Sequence, residues 1–386
     1  MTSLGKKEIP FHRPYITSEE IDGVVDAVKS GWLTMGPKTV EFERKFGDYV
    51  FAGSGIEQDR RFAISFNSAT AALHLALKAV GLKAGDEVIL PTNTFVATAE
   101  VVTYFGAIPV LCDIEEDTHN MDISMMERLI TKKTRAVMPV HFGGQPCDMD
   151  EIMSLAKDRR IAVIEDAAHA LPSRYKGKLI GTIGDITCFS FYATKTLATG
   201  EGGMATTVNE GYARTMKINR LHGISKDAWD RYTIKGDWFY EVVDNGNKYN
   251  TTDMNSALGL AQLRKVDWMN SRRAEIAKQY DQAFQNTSII IPLVKGDRKT
   301  SWHLYVIKTK NRNELVEQLK EEGIGTSVHF IPVHQHPYYK RTYGYQEKDY
   351  PISNSVFDRS LSLPIYPGLS NDEVEYIISR TLKYAE

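Results

Sequence analysis

The sequence predicts an α/β protein with a large domain on a mostly parallel sheet, followed by a smaller α+β domain. Three observations carry this. Through the N-terminal two-thirds, short apolar runs rich in β-branched and aromatic residues alternate with amphipathic helical stretches, as in a sheet covered on both faces. One long helical run then leads into a stretch that reads strand, helix, strand, helix. Finally, 386 residues exceed the roughly 100–200 that one domain usually holds. The expected division is a large domain over 1–265 and a small one over 266–386.

The elements follow in order. "EVIL" (87–90), "IPVLCDI" (108–114), "RAVMPVHF" (135–142), "IAVIED" (161–166) and "ITCFSF" (186–191) read as buried strands. "ATAALHLALKAV" (69–80), "TAEVVTYFG" (98–106) and "MDEIMSLAKDRR" (149–160) read as the helices between them. A helical pattern from Thr252 to Phe284 bridges the domains. Beyond it, "SWHLYVIKT" and "TSVHF" predict strands, and "NRNELVEQLKEEGI" and "SNDEVEYIISRTLKYA" predict helices. The polar, aromatic segment 223–249 reads as a long functional loop.

Composition excludes several classes. A net charge of −2, from 47 basic and 49 acidic residues, offers no surface suited to nucleic acid. The N-terminus lacks the apolar core of a secretory signal, and no apolar run approaches the roughly 20 residues that span a bilayer. Three scattered cysteines suggest neither a disulfide framework nor a metal site. The expectation is a cytoplasmic protein with no metal, membrane or nucleic-acid partner.

Polar residues fall where apolar runs stop, which is where open α/β sheets place ligands. "NSATAAL" (67–73) puts small and hydroxyl residues at a helix start, whose free amides suit a phosphate. "VIEDAAHA" (163–170) ends a strand in two carboxylates with His169 beyond, and "FSFYATK" (189–195) ends another in Ser190 and Lys195. Singly, these also suit an N-cap, a loop carboxylate and a solvated lysine. Together they suit pyridoxal phosphate: a lysine to hold it, an acid for its ring nitrogen and a helix start for its phosphate.

The ordered series "NSATAALH", "PTNTFVATA", "GAIPVLCDI", "PVHFGGQPCDMD", "VIEDAAHA", "FSFYATKTLATGEGG", "KYNTTDMNSALGLAQL" and "GIGTSVHFIPVH" resembles the sugar-nucleotide aminotransferases of the DegT/DnrJ/EryC1/StrS family. The likeness covers nearly the whole chain and is closest to the UDP-4-amino-4-deoxy-L-arabinose aminotransferase type. It implies the fold-type I, aspartate aminotransferase-like architecture. It also implies that Lys195 is the Schiff-base lysine and proton shuttle, that Asp166 pairs with the pyridinium nitrogen and that His169 bonds the cofactor's phenolic oxygen. Ser68, Ala69, Thr70 and Ser190 would hold the phosphate, and Phe95 would stack on the ring. Asn250 would reach the phosphate of a neighbouring subunit in a homodimer with shared sites.

The implied reaction moves an amino group from L-glutamate to a nucleotide-linked keto sugar. A UDP-linked 4-keto sugar is favoured; a 3-keto sugar or cyclitol is the alternative. A catalytically silent sensor or assembly subunit is a third reading, which the intact lysine argues against. Trp32, Arg231, Tyr232, His329 and His334 are expected around the substrate. Two features depart from the family pattern: the long link "FAGSGIEQDRRFAIS" (51–65), and Tyr192 where histidine is frequent.

Overall fold

The computed structural model describes residues 8–225 and 239–385. Seven strands form its central sheet: β1 (Phe62–Phe66), β2 (Glu87–Pro91), β3 (Ile108–Cys112), β4 (Thr134–Val137), β5 (Ala162–Asp166), β8 (Ile186–Ser190) and β9 (Gly203–Thr207). The two-residue strands β6 (Arg174–Tyr175) and β7 (Lys178–Leu179) form a separate hairpin. The order across the large sheet is β3-β2-β4-β5-β8-β9-β1, and only β9 runs against the rest. β5 and β8 are parallel neighbours, which puts the ends of "IAVIED" and "ITCFSF" at one edge of the sheet.

Strand alternation divides the core between two faces. Val88, Leu90, Ile164, Ile186 and Cys188 point to one cluster, shared with Leu73, Leu75 and Leu77 of α3 (Ala69–Ala79) and Val101 of α4 (Ala97–Thr103). Ile89, Val163 and Phe189 point to the other, where Phe42 and Phe46 of the N-terminal helix α2 (Pro37–Val50) meet Phe191. Helices α1 (Ser18–Lys29), α5 (Ile123–Leu129), α6 (Met149–Arg159) and α7 (Glu210–Asn219) complete the layers.

The predicted bridge is a single 32-residue helix, α8 (Asp253–Phe284), which passes residue 265 without a break. Its first residue, Asp253, is buried and accepts from the amides of Gly36, Lys38 and Thr39, capping the start of α2. Its last turns enter a third core with Tyr305, Ile307, Leu361 and Leu363. This region holds the short β10 (Arg298–Lys299), the antiparallel pair β11 (Tyr305–Lys308) and β12 (Ser360–Leu363), and helices α9 (Arg312–Glu321), α10 (Pro337–Tyr343), α11 (Pro351–Arg359) and α12 (Asn371–Ala385). No described helix is long and apolar enough to cross a membrane.

Two strand expectations are corrected. "RAVMPVHF" leaves the ladder after Val137, because Pro139 has no amide hydrogen to continue it. "TSVHF" is not a strand: it makes one bridge, Ser327 to Ser362, and β11 takes "SLSL" as its partner instead.

Candidate active site

A cavity of about 570 Å³ opens at the carboxyl ends of β5 and β8, bounded on its far side by residues of the C-terminal region. Its floor is the start of α3. Ser68 is the N-cap, extended in backbone, with Oγ accepting from the amide of Ala71 at 3.1 Å; Ala69 and Thr70 begin the helix beside it. The "GEGG" turn lies against this floor. Gly203 pairs with Phe66 on one side and Ser190 on the other, and a Cβ on it would stand 2.5 Å from the carbonyl oxygen of Ser68. A lysine after an aromatic strand thus needs glycines behind it, because the returning strand passes close under the helix start. Gly203→Ala should force Ser68 aside, costing about 1–3 kcal/mol of stability and weakening anion binding at the helix start about tenfold. Thermal unfolding and a titration with pyridoxal phosphate would measure the two effects. Unchanged affinity in the variant would remove Gly203 from the construction of the floor.

The two carboxylates ending β5 have separate fates, because adjacent strand residues face opposite sides. Glu165 turns away and is fully satisfied by His141 (2.9 Å), the amide of Gly184 (2.7 Å) and Thr187 (2.6 Å). Asp166 faces the cavity, accepting from Thr98 Oγ1 at 2.8 Å and the amide of Ala168 at 3.1 Å. Burial raises its pKa. Lys195 also lines the cavity, and burial pulls its pKa down to about 8, with Asp166 opposing the shift. Among the described residues neither Asp166 nor Lys195 has an ion-pair partner.

Four histidines surround the lysine. His303 Nε2 lies 3.4 Å from Lys195 Nζ, and its ring sits 4.3 Å from that of His169. His169 is stacked on Phe330 at 5.8 Å. His329 bonds Ser362 Oγ through Nδ1 at 2.8 Å, and His12 lies on the same wall. Burial keeps all four neutral: His12 falls to about 3, His329 to about 4, and His169 and His303 lie well below the ordinary histidine value. Phe11, His12, His303 and Phe330 were not anticipated from sequence. "SWHLYVIKT" reads as a strand, with no role for its histidine.

The sequence-predicted residues Ser68, Ala69, Thr70, Phe95, Asp166, His169, Ser190, Lys195 and His329 all line this one cavity. Tyr192, the departure from the family pattern, lines it too. Two residues expected around the substrate lie off this lining. His334 is buried away from the cavity, with Nδ1 engaged by Thr92 Oγ1 (2.7 Å) and Nε2 by Asn354 Oδ1 (2.9 Å). Trp32 is not on the lining, and its indole donates to the carbonyl of Met35 at 3.0 Å. Asn250 lies off the lining as well, beside Tyr249, whose carbonyl accepts from the amide of Asn67 next to the α3 start. Arg231 and Tyr232 lie outside the described residues.

These residues fit pyridoxal phosphate. A buried acid and a desolvated, half-buried amine, neither with an ion-pair partner among the described residues, are costly in isolation. The cofactor's ring nitrogen and aldehyde are the partners each lacks, and the helix start offers its phosphate a site.

Comparison with known proteins agrees. The sequence profile of the DegT/DnrJ/EryC1/StrS aminotransferase family matches residues 14–381. The spore coat polysaccharide biosynthesis protein SpsC of Bacillus subtilis is 48% identical over 378 residues, covering 96% of this chain and 95% of its own. Spr1654 of Streptococcus pneumoniae, solved in its PMP form, has a TM-score of 0.90 at 36% identity, over 97% of this chain and 98% of that one. Helicobacter pylori PseC, an aminotransferase involved in the biosynthesis of pseudoaminic acid, has a TM-score of 0.89 at 30% identity, over 98% and 99% of the two chains.

Proposed function

The chain belongs to the DegT/DnrJ/EryC1/StrS aminotransferase family, and from that premise we propose that it carries the amino group of L-glutamate to the C4 keto group of a nucleotide-linked 4-keto sugar. A UDP-sugar is the favoured acceptor. The product would be a 4-amino-4-deoxy or 4-amino-4,6-dideoxy sugar nucleotide for a cell-surface polysaccharide or related glycan. That the protein is a pyridoxal phosphate-dependent sugar aminotransferase follows from its family and its structural neighbours. The observation supporting the chemistry is that the buried Asp166 and the half-buried Lys195 line one cavity and, among the described residues, neither has an ion-pair partner.

When bound, the cofactor supplies a ring that stores the electron pair released as a C–H bond breaks. The protein's residues do the rest. Ser68, Ala69, Thr70 and Ser190 would hold the phosphate, Asp166 the ring nitrogen and His169 the phenolic oxygen. Phe95 would cover one ring face. Lys195, as a neutral amine, would take the proton from the donor's carbon at Nζ and return it elsewhere. Phe95 and Tyr192 are 59% and 47% exposed at the mouth, which supports closure by a second copy. In that homodimer, Asn250 would reach the partner's phosphate site. His329 would meet the sugar nucleotide from the C-terminal side, and Arg231 and Tyr232 from the loop. Relatedness to SpsC supports a polysaccharide precursor as the destination.

The test is spectroscopic. Glutamate should convert the absorbance of the protein-bound cofactor near ~420 nm to one near ~330 nm, and a UDP-4-keto sugar should restore it. The position of the new amine is then read by NMR. Restoration only by 3-keto sugars or cyclitols would move the reading to that acceptor class. No response to glutamate alongside a response to another amino acid would replace the donor.

A further inference from the structure

His303 has a feature that the cofactor-binding residues do not explain. The residue is 7% exposed, and its Nδ1 is sealed from solvent with no hydrogen-bond partner among the described residues. Its Nε2 faces Lys195 Nζ at 3.4 Å. A neutral imidazole carries its single proton on one nitrogen or the other, and what each faces decides which. A proton on Nδ1 would be a buried donor with nothing to receive it. Native proteins tolerate that worse than an unused buried lone pair. The proton therefore sits on Nε2, pointing at the lysine.

The backbone that carries the ring is fixed by its neighbours. Ser301 donates through Oγ to the carbonyl of His169 and through its amide to Ser173 Oγ at 3.0 Å. Trp302 takes a left-handed backbone, φ 49°, and its carbonyl accepts from Arg273 Nη1 at 3.4 Å. Arg273 also donates to the carbonyl of Ile365 and is itself buried. The charged and titratable groups facing His303 are Lys195, His169, Arg273 and His329; those facing Lys195 are Asp166, His303, His169, His12 and His329. Of the cations, Arg273 is fixed, and it disfavours a charge on His303.

We propose that His303 is a positioning residue for Lys195: its Nε2–H donates to the lone pair of the neutral lysine amine and so holds Nζ in its uncharged, reactive form. This rests on the aminotransferase reading, in which Lys195 is the nucleophile and base. The proton balance is simple. When Nζ takes up a proton its lone pair is gone, and an N–H of His303 then faces an N–H of the ammonium. The hydrogen bond breaks and Nζ is released toward the cavity, where it returns the proton to the substrate carbon that is to be reprotonated. His303 ends with the charge and tautomer it began with.

The test uses the full-length protein freed of cofactor. Lys195 is trace-labelled with acetic anhydride as a function of pH, and its peptide is quantified by mass spectrometry. In His303→Leu the midpoint of labelling should rise by about one pH unit, a tenfold loss of reactive amine at pH below the midpoint and the effect of one ordinary hydrogen bond. His303→Gln keeps an N–H donor and should return the midpoint toward wild type. A purely structural role would lower melting temperature in both variants without moving the midpoint. A folded Leu variant whose midpoint stays put or falls overturns the proposal. Should the Leu variant fail to fold, ¹⁵N-histidine spectra of the wild type, assigned through the Gln variant, decide instead: a proton on Nδ1 overturns it. Turnover surviving in Lys195→Ala would sink the aminotransferase reading itself, a result separable from either of these.

Discussion

Lys195→Ala should lose amino transfer by about 10³-fold or more while keeping its fold. The expected size is that of removing a general base, about 10²–10⁴-fold, with loss of the covalent hold on the cofactor added. Fold is spared because truncation removes a desolvated, half-buried amine that has no ion-pair partner among the described residues. The pH dependence has a definite sign. Burial brings the lysine's pKa to about 8, so the reactive amine is the minor form below that value and the major form above it. Capture of pyridoxal phosphate by wild-type apoprotein should therefore quicken as pH rises through about 8, and the alanine variant should show no such rise. Stopped-flow absorbance measures this directly. A flat wild-type profile would mean that the lysine's environment is not the one described.

Asp166→Asn is the second large effect, and it should separate activity from stability. A preorganised charge aimed at a reacting group is worth roughly 10²–10³ in kcat, and asparagine cannot hold the ring nitrogen protonated. The fold should not suffer. Thr98 can still donate to the side-chain oxygen, and the principal force on Asp166 is burial, which raises its pKa by penalising the anion. A carboxyl whose folded pKa exceeds its unfolded value costs stability at pH above both, and the cost fades as pH falls. The neutral variant is expected to melt at or above the wild-type temperature at neutral pH, with turnover down at least a hundredfold. A melting temperature several degrees lower would show Asp166 to be structural.

The residues legible in the sequence share one property: each stands at the carboxyl end of an apolar run or the start of a helix. Asp166 and Ser190 close β5 and β8, and Ser68 opens α3. Chain order alone brings such residues to one sheet edge. His303 had no such signal. It reaches the cavity because Ser301 bonds to Ser173 and His169, 128 and 132 residues earlier, and no periodicity records a contact across that separation. His334 lies off the cavity for the opposite reason. It stands five residues after His329 in the same loop, but the chain turns between them and gives both its nitrogens to Thr92 and Asn354. Strand β9, "GMATT", matches its neighbours in length but not in apolarity and is a strand because β1 and β8 pair with it from both sides. Which of the two acids of "IEDA" faces the cavity needed only the alternation of the strand, once its end was known.

The cap that Asp253 places on α2 joins residues 214–217 positions apart. A ribosome adding roughly 5–20 residues per second makes that interval in roughly 10–40 s. Throughout it, the start of α2 has no acceptor for its amides. Phe42 and Phe46 likewise wait for Phe189, Phe191 and the Gly259 stretch of α8 that will cover them. Helix α2 thus emerges well before the residues that fix it in place. A nascent chain halted before Thr252 carries that aromatic face bare, and any factor that shelters this protein during synthesis has its work at the N-terminal fifty residues.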